Sequence, residues 1–234
     1  MIEYKRIYHS HIRKCAGTSF NKLIIGSYST QEDSVRDEYY SLICKNQFQN
    51  INGKIFAGFS SPQVISSGNY FYCWSHTPFW SFKLQPDTFC ITNFRDPLER
   101  LLSHYSMIKQ YYDEKVNHPG MRIDGKWLGE SKTFMEFIGN MPKSEKLAQL
   151  YHYSKNYSID EAIENISKVD FIGRVETLTE RGYDALKKII PQLNFPNEHL
   201  RKSKKQNISQ VEIDYAKELL EEEYKLIKRV EFSY

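Results

Sequence analysis

The chain has 234 residues, of which 40% are hydrophobic and 26% are charged. This composition suits one globular domain with a sizeable core and excludes a disordered or low-complexity protein. The 32 Lys and Arg residues nearly balance 29 Asp and Glu residues, for a net charge of +3. So close a balance argues against a nucleic-acid-binding or polybasic membrane surface, and any anion site must therefore be local.

Apolar runs and turn signals predict strands that alternate with helices along the chain. Strands are expected at residues 6–12, 54–60, 70–75, 88–94 and 171–173. Helices are expected at residues 19–25, 98–112, 133–139, 144–153, 159–166, 179–190 and 209–229. Residues 112–131 are polar and lack a period, which predicts a lid loop or an insertion. The alternation predicts a single α/β domain over residues 1–234, with a mainly parallel central sheet flanked by helices.

The beginning of the chain and the cysteines bear on location. No long apolar run follows the first residues, so we expect neither a signal peptide nor a membrane span, and a cytoplasmic protein. The four cysteines, Cys15, Cys44, Cys73 and Cys90, contain no C-x-x-C pair. This spacing predicts reduced thiols rather than a zinc site or a disulfide framework, and no other metal motif is present.

The loop from His11 to Phe20 joins the first predicted strand to the first predicted helix. Gly17, Thr18 and Ser19 would place backbone N–H groups and hydroxyls at the helix start, where an anion is attracted, and Lys14 adds a positive charge. Alternatively, Thr18 or Ser19 only caps the helix and Lys14 is a solvated residue. The loop is not a Walker A motif, because the chain contains no G-x-x-x-x-G-K-[ST].

A second cluster, F-R-D-P-L-E-R-L-L-S-H-Y, follows the strand predicted at residues 88–94. Asp96 suits the N-cap, Pro97 the first helical position, and Glu99 would complete a capping box, so these residues need no ligand. Capping does not explain Arg95, which stands at the carboxyl edge of the sheet, or Ser103, two turns into the helix. This arginine and serine could form a second phosphate clamp.

The segment H-I-R-K-C-A-G-T-S-F resembles the 5′-phosphosulfate loop of the family 2 sulfotransferases, and F-R-D-P-L-E-R-L-L-S-H-Y resembles their 3′-phosphate motif. The segments F-I-G-R-V-E and H-L-R-K-S are similar to parts of the heparan sulfate and uronyl 2-O-sulfotransferases. The resemblance implies a fold like that of P-loop NTPases. It also implies transfer of a sulfuryl group from 3′-phosphoadenosine 5′-phosphosulfate (PAPS) to a hydroxyl, with a carbohydrate as the favoured acceptor and 3′-phosphoadenosine 5′-phosphate (PAP) as product.

The resemblance also implies which residues bind the donor. They are Arg13, Lys14, Cys15, Ala16, Gly17, Thr18 and Ser19 at the 5′-phosphosulfate, Arg95 and Ser103 at the 3′-phosphate, and Arg201, Lys202 and Ser203 near the 3′-phosphate or adenine side. Two features depart from the family pattern. Arg13 stands where the family commonly has Pro, and Cys15-Ala16 replace a more usual Thr-Gly, which leaves the path of the loop backbone open.

Sulfuryl transfer needs stabilisation of the leaving phosphate and a base for the acceptor hydroxyl. Lys14 is placed for the first task. His76 follows a predicted strand at the same edge of the sheet and matches the histidine that serves the family as base. The alternative is a structural role for His76, and Glu176 is the reserve candidate for base or orienting group.

Two other functions stay open. A kinase-like phosphotransferase could use the same strand–loop–helix geometry with ATP and Mg²⁺, although the missing G-K-[ST] sequence argues against it. A non-catalytic module could bind an anion or a glycan, with His76 only packing in the core. Donor binding without turnover on any hydroxyl acceptor would favour that module.

Overall fold

The computed structural model describes residues 4–29, 32–116, 121, 125–193 and 207–234. Within them, six strands form one sheet: β1 (Arg6–Ser10), β2 (Phe48–Ile51), β3 (Lys54–Gly58), β4 (Tyr72–Ser75), β5 (Thr88–Phe94) and β6 (Phe171–Arg174). Their order is β2-β3-β4-β1-β5-β6, and every neighbouring pair is parallel except the antiparallel pair β2 and β3. The predicted α/β domain with a mainly parallel sheet is thus confirmed.

Helices cover both faces of this sheet. Those before β5 are α1 (Gly17–Tyr28), α2 (Asp33–Asn46) and α3 (Pro62–Ser67). Those after it are α4 (Pro97–Asp113), α5 (Gly125–Gly129), α6 (Phe134–Asn140), α7 (Lys143–Lys146), α8 (Ala148–Tyr153), α9 (Ile159–Ile166), α10 (Tyr183–Ile189), α11 (Gln210–Leu219) and α12 (Glu221–Arg229). In the described part of the chain, no helix is both long and apolar enough to cross a membrane.

The period-2 alternation of side chains along the strands builds two apolar layers. Tyr8 and Cys90 face one layer, which contains residues of α4, α6, α8, α9, α11 and α12. Ile7, Trp74 and Ile91 face the other, which contains residues of α1, α2 and α10. Because both faces of the sheet are covered, only its edges and strand ends are open to a ligand.

The structure differs from the predicted elements mainly where polar residues dominate. The sequence pattern predicts no element at α2, β2 or α3. In α2, Ile43 is the buried residue, so the apolar stripe that marks a helix in the sequence is very narrow. The helix expected over residues 209–229 is two helices that meet at Leu220, whose side chain is fully buried.

Three further elements have boundaries that differ from the predicted ones. Residues 144–153 divide between α7 and α8, and α10 begins only after a 3₁₀ turn at Val175–Thr177 and a π turn at Leu178–Gly182. The stretch expected as a lid, residues 112–131, contains the end of α4 and all of α5. Most of the residues between these two helices lie outside the described part of the chain, so the lid stays a prediction.

Candidate active site

The strand order places four chain segments side by side at the carboxyl edge of the sheet. β4, β1, β5 and β6 are consecutive neighbours, and parallel strands end at the same edge. His76 follows β4, the β1–α1 loop (residues 11–16) follows β1, Arg95 follows β5, and Glu176 follows β6. Residues separated by up to about 160 positions in the chain therefore meet at one site.

The β1–α1 loop ends in a helix whose first turn has no side-chain cap. α1 begins at Gly17, and the N-cap residue is Ala16, which makes no capping hydrogen bond. The alternative in which Thr18 or Ser19 only caps the helix is therefore wrong. The first turn also carries no acidic residue. Its backbone N–H groups and its positive dipole end are thus left to attract an anion.

The backbone of the loop is left-handed at two residues other than glycine. Lys14 has φ 69° and Ala16 has φ 60°. For an ordinary residue this conformation costs about 1–2 kcal/mol. The sequence left the backbone path open at Cys15-Ala16. In the structure, Ala16 is left-handed, a conformation that glycine would adopt more easily. Backbone strain of this kind is typical of loops that bind ligands.

Gly17 is required by the close approach of a histidine. A Cβ atom at this position would lie 1.7 Å from Nε2 of His11, whose ring is buried. The same ring lies 4.3 Å, centroid to centroid, from the ring of His76. His11 therefore fills the space between the start of α1 and the candidate base.

The side chain of Lys14 extends from this loop to α4. Its Nζ lies 3.4 Å from Sδ of Met107, one helical turn beyond Ser103 on the same face. Burial, and then the positive charges of Arg95 and Arg13, lower the pKa of Lys14 to about 8. Among the described residues, no carboxylate forms an ion pair with it. An anion bound here would relieve the repulsion between these cations.

Arg95 joins the two predicted donor motifs directly. Its Nη1 donates to the carbonyl oxygen of Lys14 at 3.3 Å, and its backbone N–H donates to Oε1 of Gln149 at 2.8 Å. Its Nη2 also lies 3.7 Å from Oε2 of Glu99, a largely exposed carboxylate. Ser103 is buried on α4. The two motifs are thus in direct contact through Arg95 and Lys14.

The start of α4, in contrast to that of α1, is capped. Oδ1 of Asp96 accepts from the backbone N–H of Glu99 at 3.0 Å, as predicted. The expected capping box does not form, because the Asp96 N–H donates instead to Oε1 of Glu176 at 2.8 Å. Oε2 of Glu176 accepts from Nε of Arg174 at 3.2 Å. Both oxygens of Glu176 therefore hold β6 against the β5–α4 loop (residues 95 and 96).

His76 has the tautomer that a general base needs. Its Nδ1 lies 2.8 Å from the carbonyl oxygen of His11. Because a carbonyl can only accept, Nδ1 carries the hydrogen and Nε2 keeps its lone pair. Burial and then the charge of Arg13 lower the pKa of His76 to about 4, so the ring is neutral at pH 7. The ring of Phe59 lies 5.5 Å away and is 41% exposed.

Three other histidines have structural partners or surroundings. Nδ1 of His9 lies 2.7 Å from Oδ1 of Asn21, and Nε2 of His152 lies 2.8 Å from Oγ of Ser10. His152 is buried, and His104 is buried beside an aromatic ring of α6. The predicted donor-binding residues Arg201, Lys202 and Ser203 lie outside the described residues, as do two further histidines, His118 and His199.

Sequence reasoning overlooked three polar residues behind the site. Arg100, Gln149 and Glu223 are all fully buried. Glu223 gave a signal in the sequence, because it stands three residues from both Leu220 and Leu226 on the apolar stripe of the last helices. A charged residue on such a stripe usually has a buried partner.

The fold and this edge bring an uncapped helix start and the cations Lys14 and Arg95 together at the carboxyl ends of parallel strands, where folds of this class bind their ligands. A model of the sulfotransferase family matches residues 1–231 of the 234-residue chain. The chain therefore belongs to the sulfotransferase family, and its α/β fold is that of a sulfotransferase. No curated protein matches the sequence.

Proposed function

We propose that this protein transfers the sulfuryl group of PAPS to a hydroxyl of a carbohydrate. The observation that supports this most strongly is the meeting of three predicted residues on one loop. Arg95 donates to the carbonyl of Lys14, and His76 donates to the carbonyl of His11, at 3.3 Å and 2.8 Å. The backbone of the β1–α1 loop thus contacts both the proposed donor-binding Arg95 and the proposed base His76.

The residues present fit a nucleotide with phosphates at both ends. The uncapped first turn of α1 and the ammonium group of Lys14 suit the 5′-phosphosulfate. Arg95 and Ser103 suit the 3′-phosphate, and Arg201, Lys202 and Ser203 are proposed for the 3′-phosphate or adenine side. PAPS, when bound, supplies a sulfuryl group on a phosphate leaving group.

The chemistry requires two groups of this chain. Nε2 of His76 accepts the proton of the acceptor hydroxyl as the oxygen forms its bond to sulfur and the bond from sulfur to the 5′-phosphate oxygen breaks. Lys14 stabilises the negative charge that develops on that phosphate oxygen. The products are a sulfate ester, PAP and a protonated His76, which then releases its proton to water. The negative charge of the donor raises the low pKa of His76 toward a value suited to a base.

The surroundings of His76 support a carbohydrate acceptor. The exposed ring of Phe59 beside it offers an apolar face with which the ring of a sugar can make contact. We also propose a cytoplasmic location, because all four cysteines are free thiols and three of them, Cys15, Cys73 and Cys90, are buried.

Calorimetry with PAP, followed by turnover assays with PAPS and a panel of sugar hydroxyls, tests this function. We expect PAP to bind tightly to the wild-type protein and sulfated product to appear with at least one acceptor. Mg²⁺-dependent ATP binding with phosphoryl transfer would instead indicate a kinase. PAP binding without turnover on any acceptor would indicate the non-catalytic module, and absence of PAP binding would overturn the proposal.

A further inference from the structure

Gln149 is a fully buried residue of α8 that lies between the two donor loops. Its side-chain oxygen Oε1 accepts from the backbone N–H of Arg95 at 2.8 Å and from the thiol of Cys15 at 3.6 Å. One carbonyl group therefore contacts both the β1–α1 loop and the β5–α4 loop. These are the loops that the proposed function assigns to the two ends of the donor.

The orientation of the Gln149 amide is determined from the other side. Its Nε2 donates to Oε2 of Glu223 at 3.2 Å, and Oε1 of Glu223 accepts from the backbone N–H groups of Gln149 at 2.7 Å and Leu150 at 3.4 Å. A carboxylate only accepts hydrogen bonds, so the NH₂ group must point toward Glu223. The oxygen consequently points toward the loops.

The buried charge of Glu223 is balanced by Arg100. The guanidinium Nη2 lies 3.5 Å from Oε2 of Glu223, and both side chains are fully buried. Arg100 also donates to the backbone carbonyls of Glu145, at 3.1 Å, and Lys146. This network links α12, α4 and the α7–α8 region behind the site. The two oppositely charged side chains therefore offset each other in the interior.

We propose that Gln149 is a positioning residue that ties the two donor loops together at the separation that one bisphosphorylated nucleotide requires, and that Glu223 and Arg100 orient it. The ligand named here rests on the proposed function. Contacts behind a binding loop act by preorganising it, because small displacements of the loop weaken every contact to the ligand at once. Gln149 itself touches no reacting atom.

The first test is Gln149→Met, which keeps the volume of the side chain and removes both polar ends. We expect the Kd for PAP to rise by about 10-fold or more and the donor KM to rise more than kcat falls. The matched control is Gln110→Met on α4, an exposed glutamine that donates to Glu114 at 3.0 Å. The control should bind PAP like the wild type.

The second test is a rescue. In Glu223→Gln, an amide NH₂ would face the Nε2 of Gln149, so Gln149 must rotate and turn donors toward the loops. We expect PAP affinity to fall. Combining Glu223→Gln with Gln149→Glu restores an acceptor toward the loops and the total charge of the pair, so the double variant should bind PAP more tightly than either single variant.

Binding is measured well below the unfolding temperature of each variant, so that lost stability alone does not change Kd. A Gln149→Met protein that unfolds at a lower temperature yet keeps the wild-type Kd and KM would overturn the proposal and leave Gln149 a packing residue. Additive losses in the double variant would also overturn it.

Hydrogen exchange separates failure of this inference from failure of the proposed function. If the wild type bound no PAP, the proposed function would be wrong. Hydrogen exchange of the ligand-free protein would still measure whether Gln149 holds the two loops together. We expect faster amide exchange at Arg95 and at residues 11–16 in Gln149→Met than in Gln110→Met. Equal exchange in the two variants would contradict the positioning role.

Discussion

Two strand–loop–helix connections meet at the site, and they treat their polar groups in opposite ways. At the start of α1, no side chain caps the helix, Ala16 is left-handed, and Lys14 has no carboxylate partner among the described residues. At the start of α4, Asp96 caps the helix, and the backbone N–H groups of Asp96 and Arg95 bond to Glu176 and Gln149.

In the proposed function, this difference gives the start of α1 the role of binding the anion and the start of α4 the role of supporting the site. Buried or helix-end polar groups without protein partners carry a free-energy cost that a ligand can remove. In the proposed function, the β1–α1 loop holds its backbone N–H groups and the charge of Lys14 ready for an anion. The two backbone N–H groups of the β5–α4 loop are bonded within the protein, so the loop presents the Arg95 guanidinium from a fixed position.

The largest expected effect comes from removing the cation of the open loop. In Lys14→Ala, we expect kcat/KM to fall by about 10²–10³-fold, because the charge on the leaving phosphate loses its stabilisation. The control is Lys22→Ala on α1, whose Nζ pairs with Asp37 at 2.9 Å. Steady-state kinetics would contradict the assignment if both variants kept wild-type turnover.

The candidate base is held by the same loop through the His11 carbonyl, and its loss should affect chemistry rather than donor binding. In His76→Ala, we expect kcat to fall by about 10²-fold or more, as for removal of a general base. PAP affinity, measured by calorimetry, should stay close to that of the wild type. Equal losses of affinity and rate would assign His76 a structural role instead.

The lowered pKa of Lys14 predicts a pH dependence of donor binding. The free protein has a Lys14 pKa of about 8, and a bound anion raises it, so binding near pH 8.5 should take up a fraction of a proton. Affinity should then weaken as the pH rises from 8 to 10. Calorimetry of PAP binding in buffers of different ionisation enthalpy measures this uptake, which should disappear in Lys14→Ala.

The smallest expected effects concern the two helix starts themselves. Asp96→Ala removes a real cap and should lower the free energy of unfolding by about 1 kcal/mol. Thr18→Ala removes no cap and should change it by less than about 0.5 kcal/mol. Chemical denaturation measures both values. A Thr18→Ala loss as large as that of Asp96→Ala would mean that the first turn of α1 is capped after all.

Much of the site could be predicted from local patterns because each part lies within a short segment. The motifs placed Lys14 after one strand, His76 after a second and Arg95 after a third, and parallel strands then bring them to one edge. Asp96 was likewise recognisable as a cap from its neighbours. No local signal excluded Glu99 from a capping box, because the residue that takes its place, Glu176, lies 80 residues from Asp96 in the chain.

The residues of this chain determined by themselves where five of the six described strands, most helices and the two predicted donor loops lie, because apolar periodicity, caps and glycine act over a few positions. Only the tertiary structure decided which partners satisfy the buried polar groups. Gln149 meets Arg95 from 54 residues away and Glu223 from 74. A hydrogen bond depends on atoms brought within about 3 Å in space, and such contacts between distant segments leave no pattern in a single sequence.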